Sequence, residues 1–275
     1  MKTFLIVLFF SSVFKFNSEK CNEFVICEIA SNKVISFPII KYFKNGEMSG
    51  QYADINGRVC IDEVLDSIAI SCVGYHSKII YNLRDRPDTI YLEPSTTFLD
   101  EVIVKSPRKN IIHTLGFPSK KSFKLGVLPD TEMGVIIKST EGDTGLVSKI
   151  RLPIINKNKN VIRYFRIRFY ENNRGKPGNE IQIENKIYQV DSKKYQEIDI
   201  QSEAIRFTPR GIFVAIEVLN EEYESNLDSG TKLFVTKKGA KSQTYFRGLT
   251  SYQWEKLILP IDNEVNLCIE LEVIK

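Results

Sequence analysis

The chain has 275 residues, 43% of them hydrophobic and 26% charged, the ordinary values of a folded protein with room for one large or two average domains. Its formal net charge of +4 is small for this length, so charge balance points neither to nucleic acid nor to an anionic membrane surface. With two histidines and none of the G-x-S-x-G, H-E-x-x-H, G-x-x-x-x-G-K-[ST] or G-x-G-x-x-G patterns, the common hydrolase, metalloprotease and nucleotide-binding signatures are absent.

Residues 1–18 read as a signal peptide. Met1-Lys2 supplies a positive start, an apolar run extends from Thr3 to Phe14, and Lys15 ends it, whereas a spanning helix needs about 20 apolar residues. The chain is therefore expected to be exported, with a cut near Ser18. Cys21 is preceded by Ser18-Glu19-Lys20 and lacks the residues of a lipid-attachment motif. The five cysteines show no C-x-x-C pair; they read as small core residues, with Cys60 and Cys72 the pair placed to face each other across a sheet.

Strands are expected over 24–29, over 34–43 with Pro38 at an edge or bulge, and over 68–73, 79–83 and 89–92. Asn45-Gly46 and Asn56-Gly57 mark tight turns that need positive φ. This spacing predicts a sandwich of about seven short strands. The residues Asp54, Asn56, Gly57, Val59 and Ile61, then Ile68-Ala69-Ile70-Ser71-Cys72-Val73-Gly74-Tyr75, then Leu99-Asp100-Glu101-Val102-Ile103-Val104 together resemble the carboxypeptidase-like regulatory domain. The resemblance covers 23–105. It implies a prealbumin-like Greek-key β-sandwich of the kind found at the N-termini of Gram-negative envelope proteins, TonB-dependent transporters included, and it implies no peptidase chemistry. The family's opening G-x-V-x-D strand is replaced here by Phe24-Val25-Ile26-Cys27-Glu28-Ile29.

Residues 106–127 read as a basic linker, punctuated by Ser106-Pro107-Arg108-Lys109, Gly116-Phe117-Pro118 and Lys120-Lys121. From 128 to 275 the pattern is again β, with strands expected over 133–138, 147–155, 161–170, 180–188, 197–200, 211–219, 233–236, 257–260 and 265–274. The fold expected is thus all-β, with the prealbumin-like sandwich followed by a C-terminal jelly-roll-like antiparallel sandwich. A membrane-spanning transporter is not expected, since the sequence after Val104 is short for the large barrel that normally follows and its strands lack aromatic-girdled alternation.

Alternation along 161–170 sets Phe165, Ile167 and Phe169 on one face and Tyr164, Arg166, Arg168 and Tyr170 on the other. The first set is core. Two guanidinium groups framed by two phenols could grip a saccharide or an acidic ligand, and a solvated sheet face is the alternative. Trp254, with Tyr245, Phe246 and Tyr252, offers either a sugar-stacking platform or core packing. The acidic residues 221–228 lack the order of a calcium loop, and His76 and His113 are not placed for a triad or a metal. These observations point to an exported, non-catalytic binding or envelope-organising protein of the periplasm or cell surface, without cofactor, metal or nucleic acid, whose C-terminal sandwich recognises a saccharide or an envelope protein. The alternative is an accessory carbohydrate-active or peptide-cleaving enzyme, which would need convergent carboxylates in a concave site.

Overall fold

A computed structural model describes residues 21–44, 46–61, 65, 67–81, 88–95, 111–139, 141–191, 195–219, 230–236, 243–251, 253–259 and 264–275. The signal peptide, the Leu99–Val104 motif, the acidic residues 221–228 and Tyr252 lie outside them. The protein is all-β. Among the described residues, no helix is long and apolar enough to cross a membrane.

The N-terminal strands are β1 (Asn22–Glu28), β2 (Ile39–Lys44), β3 (Glu47–Tyr52), β4 (Arg58–Ile61), β5 (Ser67–Ser71), β6 (Lys78–Tyr81) and β7 (Thr89–Leu92). They form a three-stranded sheet, β4-β1-β7, and a four-stranded sheet, β3-β2-β5-β6. Alternate residues close the core between the sheets: Phe24 and Ile26 from β1, Ile40 from β2, Ile68 and Ile70 from β5, Ile90 and Leu92 from β7. The two Asn-Gly turns behave as expected at their glycines, with Gly46 at φ +82° and Gly57 at φ +67°. A Cβ on Gly57 would meet the Ile35 and Ile26 carbonyl oxygens at 2.7 and 2.8 Å, so the turn demands glycine for space as well as for φ.

The cysteine pairing differs from expectation. Cys21 is bonded to Cys60, because β1 pairs antiparallel with β4 and sets Glu23 opposite Cys60. Cys72 points the other way, into the core, where burial pushes its thiol up to about 11. Cys27, Cys72 and Cys268 are outside any disulfide and buried, as small core residues would be.

The C-terminal strands are β8 (Ile112–Gly116), β9 (Ser122–Gly126), β10 (Thr131–Ile137), β11 (Gly145–Asn156), β12 (Tyr164–Asn173), β13 (Lys176–Ile181), β14 (Ile187–Gln189), β15 (Tyr195–Asp199), β16 (Arg206–Phe207), β17 (Ile212–Leu219), β18 (Thr231–Thr236), β19 (Thr244–Gly248), β20 (Glu255–Lys256) and β21 (Glu270–Ile274). They build two seven-stranded sheets, one ordered β13-β12-β17-β10-β19-β20 with β14 beside β12, the other β8-β21-β11-β18-β9 with β15 and β16 beside β11. Between them lies the larger core, which includes Val135, Ile150, Phe165, Ile167, Phe169, Val214, Val235 and Leu271. The inward set of β12 is therefore Phe165, Ile167 and Phe169, as alternation required.

The stretch read as a basic linker is, over its second half, part of this sandwich. β8 pairs with β21 from Ile112↔Ile274 to Gly116↔Glu270, and β9 pairs with β18. Both are end strands of their sheet, where polar residues face water, so they carry no continuous apolar signal. The Gly116-Phe117-Pro118 punctuation is the connection between two strands.

Candidate functional site

The face of β12 that carries Tyr164, Arg166, Arg168 and Tyr170 is turned into the protein, with the N-terminal sandwich packed over Tyr164 and Arg166. Arg166 is 1% exposed. Its guanidinium donates to the Phe37 carbonyl at 2.9 Å and to the Ser36 carbonyl at 3.4 Å, while Phe37 lays its ring against Tyr164 at 5.4 Å. Asn185 donates to the Ser36 carbonyl at 3.2 Å, and the Tyr52 hydroxyl, from β3, donates to Glu217 at 2.6 Å. The exposed ligand face anticipated for β12 is thus corrected: the chain's own first domain occupies it at Tyr164 and Arg166, partly through main-chain carbonyls, and C-terminal side chains surround Arg168 and Tyr170. Phe37 holds φ +51°, a left-handed backbone unusual for an aromatic and disfavoured before Pro38. That conformation turns its carbonyl toward Arg166.

Register explains the charges at this seam. Across four adjacent strands, Arg166 faces Glu217, Glu217 faces Glu132, and Glu132 faces Arg247. Two carboxylates directly opposite each other repel, and a cation on either flank offsets this. Arg166 pairs with Glu217 at 2.9 Å and Arg247 with Glu132 at 2.7 Å. Arg168, one row along, reaches Glu132 at 3.2 Å and Glu217 at 3.6 Å, and forks onto Glu180 at 2.8 and 2.7 Å. The Tyr170 hydroxyl donates to Glu132 at 2.6 Å.

Burial alone would raise the Glu217 carboxyl, but Arg166 and Arg168 hold it below the ordinary carboxylate range. Burial outweighs Arg168 and Arg247 at Glu132 and lifts that group. Asp130, beside them, is pushed up to about 6 by burial and by the charge of Glu217. Burial, then repulsion by Arg247 and Arg168, lowers Lys41. A cavity of about 240 Å³ lies between the domains at this point, lined by Lys41 and Tyr52 on one side and Asp130, Glu132, Arg168 and Arg247 on the other. Every oxygen of Glu132 and Glu217 already accepts from an arginine or a tyrosine. Glu217, which accepts from Tyr52 of the first sandwich and Arg166 of the second, ties the domains together, whereas the partners of Glu132 all belong to the second sandwich.

Trp254 is part of a small apolar cluster on the same sheet face, beyond the seam. Its ring meets Phe213 edge-on at 4.8 Å and Tyr170 at 5.4 Å, and the Arg247 guanidinium covers it at 4.4 Å. The sugar-platform reading of Trp254 is corrected accordingly: its faces are used within the protein. Phe213 fits this cluster only because position 134 on the neighbouring strand is glycine, where a Cβ would lie 2.6 Å from the ring.

His113 lies on β8 with Nδ1 3.6 Å from Asp143 and with Glu141 near. The Lys275 ammonium already pairs with Asp143. Asp143, in the loop before β11, thus pairs with the residue that follows the sandwich's last strand and lies beside His113 on its first.

The feature that sequence reasoning missed is a groove at one end of the C-terminal sandwich. The end of β12, Ile181 at the end of β13 and the segment 203–212 enclose about 660 Å³, with a floor of Ile181, Ile205 and Ile212 and with Pro209 at the rim. An adjoining hollow of about 640 Å³ shares Asn172, Asn173, Pro209 and Arg210 and adds Lys138 and Arg174. The cations Lys138, Arg174, Arg206 and Arg210 are exposed and make no ion pair among the described residues. Of the lining acids, Glu203 is neutralised by Lys186 at 2.5 Å, which leaves Glu171. The four cations come from three separate segments, so no run of basic residues announces them.

The fold and its charged seam define an all-β protein of two sandwiches locked face to face, with an open basic groove on the second. No family model, curated protein or solved structure matches the chain.

Proposed function

We propose that the chain is an exported, non-catalytic binding protein in which the N-terminal sandwich is a docked support and the C-terminal sandwich recognises a partner through its end groove. The single observation that carries this reading is the groove, where Arg206 and Arg210 border an aliphatic floor and Lys138 and Arg174 line the adjoining hollow, all four without ion partners among the described residues. The charges of the seam are mutually satisfied; those of the groove are not, and unsatisfied charge in a concavity favours a ligand that brings the counter-charge. Export rests on the apolar leader. An envelope location follows from the resemblance of the first domain to envelope modules.

The test compares the mature chain with an Arg206→Glu, Arg210→Glu variant on a glycan array and in pull-downs from envelope extracts. A ligand retained by the first and lost by the second supports the groove. Identical profiles in both assays would overturn it. Turnover of glycoside or peptide substrates by the purified chain would overturn the non-catalytic half and direct attention back to Asp130 and Glu132.

A further inference from the structure

From the chemistry of that same groove we infer the ligand class: an extended, acidic segment of a protein partner, whose carboxylates meet Arg206, Arg210, Arg174 and Lys138 while its apolar side chains cover the aliphatic floor. This rests on the reading of the groove as the binding site. Sugars are commonly gripped by stacking a ring face on an aromatic side chain, and among the described residues no aromatic lines either part of the groove. Tyr245, beside the β12–β13 turn, spends its hydroxyl on the Gly175 carbonyl at 2.7 Å. The floor offers isoleucine, which suits aliphatic side chains, and the rim offers guanidinium forks, which suit carboxylates.

Two further observations agree. The turn joining β12 to β13 holds Arg174 at φ +52° and Gly175 at φ +91°. Asparagine is the usual residue at the first of these positions, so an arginine there keeps a cation at the rim for a backbone cost of about 1–2 kcal/mol. Ala204, at φ +49°, is a second left-handed residue on the lining. Meanwhile β13, the end strand beside the groove, begins Lys176-Pro177, and proline removes a donor that an added strand would use. The segment is therefore held in the groove by its side chains, not as an extension of the sheet.

The test is fluorescence polarisation with a dye-labelled peptide alternating Glu and Val, a matched peptide alternating Gln and Val, and a sulfated oligosaccharide. The expected result is saturable binding of the Glu peptide alone. It should weaken about tenfold or more in the Arg206→Glu, Arg210→Glu variant, a loss that corresponds to about 1.4 kcal/mol or more. Binding should also fall as salt rises from about 0.1 M to about 1 M, which shortens the screening length from about 10 Å to about 3 Å. Melting curves check that the variant is folded; should it not be, Arg206→Gln with Arg210→Gln replaces it. Equal or stronger binding of the sulfated oligosaccharide, lost in the variant, would overturn the peptide assignment and leave the groove standing. Binding of the Glu peptide that the variant retains would overturn the assignment of the peptide to this groove. If the variant alters neither this assay nor the array and pull-down profiles, the groove reading falls as well.

Discussion

Replacing Arg166 with alanine tests the seam most directly. The change removes a 2.9 Å ion pair to Glu217 and a 2.9 Å hydrogen bond to the Phe37 carbonyl, at a position 1% exposed. Removing one partner of a buried pair strands the other charge and typically costs about 3–5 kcal/mol. Glu217 would keep Tyr52 at 2.6 Å and Arg168 at 3.6 Å, so the lower end, about 3 kcal/mol, is expected. Denaturant unfolding reads this as a fall in midpoint with little change in slope. The paired variant Arg166→Met with Glu217→Leu removes both charges and replaces them with apolar volume; it should recover most of the loss, because the desolvation cost disappears with the ions. The difference between the paired change and the sum of the single changes gives the coupling. A single-variant effect inside the surface range of about 0.5 kcal/mol, or a paired variant as damaged as the single one, would refute the buried seam.

Asp130→Asn should raise stability at pH 7, and the gain should vanish as pH falls below about 4. The Asp130 carboxyl is lifted to about 6, so the native state binds its proton more tightly than the unfolded chain, and ionisation costs stability as pH rises through that window. The gain should be no more than about 2 kcal/mol after allowance for solvent at this half-buried group, and a variant less stable than the parent at pH 7 would contradict it. Glu217 works in the opposite sense: its carboxyl is depressed, so its contribution is present at neutral pH and is lost as pH falls through that lowered value. Gly134→Ala should cost about 1–3 kcal/mol and raise quenching of Trp254 fluorescence, since the added methyl would lie 2.6 Å from the Phe213 ring; unchanged stability and quenching would show that the cluster can shift freely. Reducing the Cys21–Cys60 disulfide frees a separation of 39 residues and should destabilise the N-terminal sandwich by roughly 4 kcal/mol at most, read by denaturation with and without reductant; no change would mean that the bond constrains little in the unfolded chain.

Local signals in the sequence correspond to local features of the fold. Alternation along β12 separates Phe165, Ile167 and Phe169 from Tyr164, Arg166, Arg168 and Tyr170, and Gly46 and Gly57 hold the positive φ that their turns imply. The same alternation marks the outward face as special, because two arginines between two tyrosines is an expensive set to leave without a role. What covers it is invisible locally. The row Arg166, Glu217, Glu132, Arg247 exists only through the register of strands distant in sequence, and the carbonyls of Ser36 and Phe37 arrive from another domain. The strands β8 and β9 escape a reading based on apolar runs because they are end strands, with alternation diluted by Gly116, Pro118 and lysines. The Cys21–Cys60 bond likewise depends on β1 and β4 being antiparallel neighbours, which spacing alone does not fix.

The pairing of β8 with β21 carries a consequence for synthesis. The first strand of the C-terminal sandwich has its neighbour in the last, Ile112 opposite Ile274, so that sheet cannot close until the chain has emerged as far as Ile274. The N-terminal sandwich, whose described strands end at Leu92, pairs with no strand of the C-terminal sheets and has no such wait. It can fold while the rest of the chain is still emerging, and it then offers Ser36, Phe37 and Tyr52 as a finished surface on which β12, β17 and β10 align. A polypeptide cut short before β21 would retain the first sandwich and expose the apolar strands of the second. Its loss should be read as aggregation of a fragment, not as weakened binding by an intact protein.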